Sequence, residues 1–328
     1  MATLVADILR PTLQSPETPV SATITDVQQL SSYNYVDTED EKLNLVIPGS
    51  PNVWSPPGGS TRLSKDEGLV YIDQHAARHP NYPLEPLFRA LYVSHPTLDI
   101  TSANVITDRN NIRKLLRFIS SESKDDFTIS VEVIDNTVLL GRHEPQAYEY
   151  ISSTQFRGYG HMFEKAYTTP QIKGTTGHHR IVSYNFAGMK MIVRHETDGY
   201  VGPPSDQAKN ETSIFSPISP ATTITTSTGL LIHNQGQDIP LSSTLEIKTR
   251  ARHRPLFFQD VASQLWASQT PKLVRAYHSK GVFPPPVVED VSAQLRGWEE
   301  EKQKELRLLA ALMVRIRETV REQGGGRC

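Results

Sequence analysis

Hydrophobic and polar positions along the chain follow two periods. Alternation marks "LEIKTR" at residues 245–250, where Leu245 and Ile247 share one face of a strand and Glu246 and Lys248 the other. The same period predicts a hairpin from "HHRIVSYNFAG" and "MKMIVRHETDGYV" turning at Gly188, and another in "FTISVEVIDNTVLLGRHE" around Asp135 and Asn136. "LNLVIPGSPNVWSPP" reads as a strand entering a proline-stiffened turn. Helical spacing takes over in "EPLFRALYVSH" and in "NVITDRNNIRKLLRFI", where Ile112, Leu115, Leu116 and Ile119 form one face behind Asp108, an N-cap or first-turn acid. A helix is expected over "PQAYEYISSTQFRGYGHMFEKAYT", and a helix followed by a strand over "DVASQLWASQTPKLVRAYHSKGVF". The last element is one long helix from about Val291 to Glu322, with Leu306, Leu309, Met313, Ile316 and Val320 as a core-facing stripe.

These elements predict an α/β (α+β) chain with a mixed central β-sheet flanked by helices in a single domain. Where neither period holds, the chain is expected to be flexible. That applies to a Ser, Thr and Pro-rich leader over 1–30, an insertion at about 203–240 containing "ATTITTSTG", and a tail at 323–328, leaving 31–322 as the folded domain. With 328 residues and 37% hydrophobic content the chain can bury a large core. A net charge of -2 excludes binding of nucleic acid by bulk charge, so any such contact needs a local basic lining. The single cysteine, Cys328, rules out an internal disulfide or a cysteine zinc site and fits a reducing, intracellular compartment. No stretch approaches the ~18 apolar residues of a membrane span, and the N-terminus lacks a secretory pattern, so the sequon at Asn210 reads as ordinary loop.

The chemistry concentrates on two strands. In "VRHETDGY", alternation aligns Arg194, Glu196 and Asp198 on one face, bringing two carboxylates together. Like charges so close need a proton or a cation, and an oxygen-only ligand set suits magnesium or manganese. Beside a strand carrying Glu246 and Lys248, such a set can hydrolyse a phosphodiester. The carboxylates hold one or two metals that activate water and bridge phosphoryl oxygens, and Lys248 orients the water or stabilises the transition state. The alternative leaves these acids in salt bridges at a rim, with Arg194 and Arg250 as partners, and "LEIKTR" as a surface strand.

Glu-x-Asp followed by Glu-x-Lys is the PD-(D/E)xK nuclease pattern, and the chain resembles one branch of that superfamily, the DXO-type 5′-end RNA decapping nucleases of fungal type. The resemblance spans about Tyr33 to Glu322 and rests on blocks in order. "ITDRNNIRKLL" is similar to the helix whose arginine contacts substrate, which implies that role for Arg109. "GHMFE" resembles Gly-Tyr-x-Phe-Glu, with His161 in place of the tyrosine, and implies a metal-site glutamate at Glu164. "ETD" and "EIKT" match the Glu-x-Asp and Glu-hydrophobic-Lys-Thr motifs at Glu196, Asp198, Glu246 and Lys248. "LWASQTPKLVRAYHSKG" is similar to the Trp-Ala-Gln-Ser block, with its substrate-binding glutamine placed nearest at Gln269, and the helix of Trp298 fits the family's end.

The resemblance implies a PD-(D/E)xK core, catalytic Glu164, Glu196, Asp198, Glu246 and Lys248, and a magnesium or manganese ion on Glu164, Asp198 and Glu246. It implies an enzyme that removes incomplete or dinucleotide caps from an RNA 5′ end, with 5′-to-3′ exoribonuclease action as a continuation, and an intracellular location, nuclear or cytoplasmic, with the nucleus favoured. Two readings stay open beside it: a non-catalytic partner that stabilises a 5′-to-3′ exoribonuclease, and a DNA-cutting nuclease of the same superfamily. "GHH" at 177–179 puts its two histidines on opposite faces of a strand, and Arg250, Arg252 and Arg254 continue the Lys248 alternation as a phosphate path or a solvated strand end. No dinucleotide-binding glycine motif, Walker loop or nucleophile elbow occurs.

Overall fold

A computed structural model describes residues 6–13, 21–39, 42–122, 126–202 and 223–322. The first half provides strands β1 (Ile24–Val36), β2 (Asn44–Ile47), β3 (Val53–Trp54), β4 (Thr61–Arg62) and β5 (Gly68–Tyr71). Helices α1 (Gln74–Arg78) and α2 (Glu85–Ser94) follow, then β6 (Val105–Asp108), α3 (Arg109–Ile119) and the hairpin β7 (Ile129–Ile134) and β8 (Thr137–Arg142). Next come β9 (Tyr148–Ile151), α4 (Gly160–Tyr167), β10 (Thr168–Thr169), the hairpin β11 (Thr175–Phe186) and β12 (Met189–Glu196), and β13 (Gly199–Tyr200). The remainder is β14 (Thr223–Thr225), β15 (Leu231–Asn234), β16 (Thr244–Ala251), α5 (Gln259–Ser268), β17 (Lys272–His278), β18 (Val282–Phe283), β19 (Val288–Asp290), α6 (Ser292–Glu301) and α7 (Gln303–Glu322).

Two mixed sheets carry the molecule. The larger runs β14-β15-β2-β1-β11-β12-β6-β8-β7, and the smaller β10-β3-β13-β16-β17-β19. One face of the large sheet packs Val182, Tyr184, Met191 and Val193 against Ile112 of α3, Trp266 of α5 and the α7 stripe. Its other face packs Tyr33, Ile181 and Ile192 against Leu87 and Leu91 of α2. Each such side chain contributes about 1.5–3 kcal/mol on burial, so the sheet buried on both faces is the rigid frame. Helix α4 packs Phe163 and Tyr167 on Leu245 and Ile247, the inward face of "LEIKTR".

The sheets meet where β12 ends. Arg180 of β11 pairs with His195 and His179 with Glu196, and three residues later Gly199 is already paired with Leu245 of the small sheet. The chain thus crosses between sheets at Thr197 and Asp198. A Cβ on Gly199 would lie 3.0 Å from the Asn52 carbonyl oxygen, so the crossing favours a residue without a side chain.

Four expectations are corrected. The supposed leader over 1–30 already holds buried Ala22 and the start of β1, with residues 1–5 and 14–20 outside the described part. Its backbone is tied down from the far end of the chain, since Ala22 N–H donates to Gln303 and Ile24 N–H to Glu299. The insertion at about 203–240 is not one flexible piece. Residues 203–222 and the tail at 323–328 lie outside the described residues, but β14 and β15 extend the large sheet, with β15 parallel to β2 and Leu230, Ile232 and Ile239 buried. The helix expected over "PQAYEYISSTQFRGYGHMFEKAYT" is instead strand β9, paired with β5, and then the short α4, because Gly158 at φ +143° breaks the run. The terminal helix divides at Lys302 into α6 and α7, where Gln303 turns its amide to the Ala22 and Glu299 carbonyls.

Candidate functional site

The junction of the sheets opens into a cleft of about 650 Å³, within the range of ligand sites. Glu164, Glu196, Asp198, Glu246, Lys248 and Arg109 all line it. They arrive on four separate pieces of local structure. Arg109 is the first residue of α3, directly after β6, which runs parallel to β12 with Asp108 opposite Arg194. Glu196 closes β12 and Asp198 sits in the crossing, where its Oδ2 accepts from the Ile247 N–H at 2.7 Å. Glu246 and Lys248 form the cleft-facing side of β16. Glu164 comes from α4, whose first turn has no cap of its own. Asp66, on a loop about a hundred residues earlier, accepts from the Met162 N–H at 3.0 Å instead.

Glu246 is the centre of the polar network. Burial pushes its carboxyl up, but the Lys248 ammonium and the Arg109 guanidinium outweigh that and hold it at about 2. Lys248 donates to its Oε1, the Gln264 amide donates to the same oxygen, and Arg109 Nη1 lies 3.1 Å from Oε2. For Lys248, burial opposes the charged form, but the Glu246 charge raises the ammonium above its ordinary range. The other acids lack such partners. Burial and then repulsion from Glu246 push Asp198 up to about 8, and burial with Asp198 and Glu196 nearby drives Glu164 well above the usual carboxylate range. Glu196 opens to the solvent of the cleft; enclosure by protein, opposed by Arg109 and reinforced by Glu246, still raises its carboxyl.

Arg194 does not neutralise these acids. It is fully buried and makes a two-pronged pair with Asp108, Nε to Oδ1 at 2.6 Å and Nη2 to Oδ2 at 2.9 Å, with Nη1 on the Pro83 carbonyl. Arg250, Arg252 and Arg254 are exposed at the end of β16, outside the cleft lining. The rim salt-bridge reading is therefore not what this chain builds. His178 and His179 do point apart, to Asn34 Oδ1 and Gln74 Oε1, each at 2.9 Å.

One placement is corrected. Gln269 lies outside the cleft lining, at the left-handed end of α5 with φ 54°, and donates its amide back to the Trp266 carbonyl. The glutamine that reaches Glu246 is Gln264, buried on the same helix. Sequence offered one signal for it, a lone amide between Val261, Ala262 and Leu265 on a packed face. His195 was also passed over. It lines the cleft, buried, with neither ring nitrogen partnered, and burial with the nearby Arg109 keeps it neutral.

Among the described residues no three His, Cys, Asp or Glu side chains are grouped to hold a metal ion as they stand. Glu246 is turned instead onto Lys248, Gln264 and Arg109. The donor chemistry nonetheless fits a hard divalent cation. Glu164 and Asp198 are oxygen donors whose charge no side chain neutralises fully, as their raised carboxyls report. Beyond the acids, a second recess of about 480 Å³ shares Glu164, Glu196 and Asp198 with the cleft and is lined by Asn52, Lys165 and His178.

Solved structures with this fold include Rai1 of S. pombe in complex with 3′-FADP, which aligns with a TM-score of 0.58 at 12% identity over 95% of this chain and 91% of that one. Rai1 of Candida albicans in complex with pU5-Mn2+ aligns at 0.54 and 11% identity over 91% and 83% of the two chains. Dxo1 of K. lactis in complex with manganese aligns at 0.51 and 9% identity over 95% and 87%. The likeness is one of fold: a mixed α+β single domain. No curated protein matches the sequence. Residues 3–328 match the family described as Domain of unknown function (DUF8563), and the chain belongs to that family.

Proposed function

We propose that this protein is a metal-dependent hydrolase of RNA 5′ ends that cuts the first phosphodiester or pyrophosphate linkage. The observation that carries the reading is the convergence of Glu164, Glu196, Asp198, Glu246 and Lys248 with Arg109 in one cleft at the sheet junction. Support comes also from the fold shared with Rai1 and Dxo1, structures of which hold pU5 with Mn2+, 3′-FADP or manganese. Glu164, Asp198 and Glu246 would hold a magnesium or manganese ion, which when bound lowers the pKa of a water and neutralises phosphoryl oxygens.

The chain's own groups do the rest. Glu246 stays ionised at any working pH because Lys248 and Arg109 stabilise its charge. Gln264 fixes its orientation from below, and the Ile247 N–H fixes Asp198. Lys248, held at the cleft by Glu246, presents an ammonium to charge developing on the phosphoryl group, where preorganised donors lower a barrier most. Arg109 offers a fork of donors to a substrate phosphate. Removal of incomplete or dinucleotide caps, a nuclear location and a 5′-to-3′ exoribonuclease partner belong to the same proposal, supported by the resemblance of the sequence blocks.

The test is cleavage with manganese of RNA bearing triphosphate, NAD, unmethylated-cap or monophosphate 5′ ends, beside matched DNA. Release of the 5′ group from RNA, lost in Glu246→Ala, is the expected result. Equal cutting of DNA would make it a DNA nuclease, and no cleavage would leave a non-catalytic partner.

A further inference from the structure

The arginines of the cleft are not alike. Arg109 pairs with Glu246 at 3.1 Å, Arg194 with Asp108 at 2.6 Å, Arg142 with Glu144 at 2.8 Å and Arg78 with Asp37 at 2.7 Å. Arg113 lines the same cleft one helical turn after Arg109 and makes no ion pair or hydrogen bond among the described residues. It is only half-exposed, and its Nε is buried with no partner. Burial, with repulsion from Arg109, pushes its guanidinium down to about 10, and only Glu246 works in the other direction. Beside it in the cleft, Asn110 also has its side-chain oxygen buried and unpartnered.

An arginine drawn from water without an acid costs stability, and solvation at the helix surface was available to it at no cost. The helix leaves it little freedom to escape. Asn111, Ile112, Leu115 and Leu116 anchor α3 in the core, and the Asn111 amide bonds Thr107 and the Leu140 carbonyl. Arg109 and Arg113 are therefore presented together, about 5–6 Å apart at Cβ by helix geometry, as two cations facing one channel. One of them has its counter-charge in the protein. The other pairs with no acid among the described residues.

We propose that Arg113 binds a second phosphate of the substrate, next to the linkage held by Arg109 and the acids, so that the cleft selects chains with consecutive phosphates over single phosphodiesters. This rests on the nuclease reading for the identity of the linkage, but not for the presence of the anion. Guanidinium binds phosphate through paired N–H donors, and the buried Nε of Arg113 is one such donor with no partner among the described residues.

The experiment compares wild type, Arg113→Ala and Arg113→Lys in calcium, a hard cation with the same oxygen preference as the catalytic ions. Binding is read by anisotropy with a 5′-phosphorylated, 3′-labelled oligouridylate, with an unlabelled dinucleoside monophosphate as competitor. Arg113→Ala should weaken the oligonucleotide about tenfold or more and lower its salt slope by about one, with Arg113→Lys in between. The dinucleoside monophosphate should compete equally well in all three, and the melting temperature of Arg113→Ala should stay level or rise, because the lost cation has no ion pair among the described residues.

Equal oligonucleotide affinity in wild type and Arg113→Ala overturns the proposal, as does an equal loss for both ligands or a wild type that does not bind the oligonucleotide. Weakened binding in Arg113→Ala together with no cleavage of any RNA by wild type would sustain the phosphate site and overturn the nuclease reading.

Discussion

Lys248 donates to Glu246 two residues back along β16, so the ammonium and the carboxylate of one strand face the cleft as a pair and not as independent groups. The pair sets what each variant should do. Lys248→Ala should lower turnover about 100-fold or more with little change in KM, because its stabilisation is realised in the transition state. Steady-state and single-turnover kinetics on 5′-modified RNA measure it, and an unchanged rate would return "LEIKTR" to a structural strand. Glu246→Ala should abolish activity and weaken manganese binding by calorimetry.

The pH dependence of the metal-free protein has two limbs. Asp198, raised to about 8, binds its proton more tightly when folded, so it adds stability at low pH that is lost as pH rises from about 4 to 8. The buried His75, His178, His179 and His195 are depressed mainly by burial and stay neutral when folded. Unfolding lets them take protons below about 6.5, so their contribution falls as pH drops through that value. Melting temperature in EDTA should therefore peak near neutrality, and Asp198→Asn should flatten the alkaline limb. A limb that Asp198→Asn leaves unchanged would contradict this.

Gln264 and Gln269 separate cleanly. Gln264→Ala removes a hydrogen bond to a buried carboxylate, worth about 1.5–3 kcal/mol, and should reduce turnover as Glu246 loses its orientation. Gln269→Gly suits the left-handed backbone there and should leave activity unchanged. Urea unfolding and rate measurements on both variants decide.

The Arg194 and Asp108 pair ties β12 to β6 behind the site. Replacing Asp108 by Ala leaves a buried, uncompensated guanidinium and should cost about 3–5 kcal/mol, seen as a lower urea midpoint.

Residues 223–240 should prove structural. Ile232→Ala, in the strand beside β2, should cost about 2–5 kcal/mol, and deletion of β14 and β15 should expose the β2 edge and impair cooperative unfolding. Deletion without loss of stability would restore the idea of a dispensable insertion.

Periodicity alone determined the elements that are both long and amphipathic. The two hairpins at Asp135 and Gly188, the helix behind Asp108 and the α7 stripe were legible because a two-residue or 3.6-residue pattern reports which face is buried. The pairing of Glu246 with Lys248 on one face of β16 was legible for the same reason, whereas Asp198 reaches the cleft from the crossing after β12 and not by strand alternation. What lay beyond reach was everything set by distant chain. Residues 22–30 look like leader by composition, and they are ordered by partners far along the chain: β11, which pairs with Ile24 to Gln29, and the Gln303 and Glu299 side chains. β14 and β15 are short, lie in a Ser, Thr and Gly-rich stretch and become strands because β2 offers β15 an edge to pair with. Gln264 was missed in favour of Gln269 because motif order does not say which helical phase faces a carboxylate on another element. That Arg113 pairs with no acid among the described residues is likewise invisible in sequence, since it depends on which distant side chains the fold brings to the cleft.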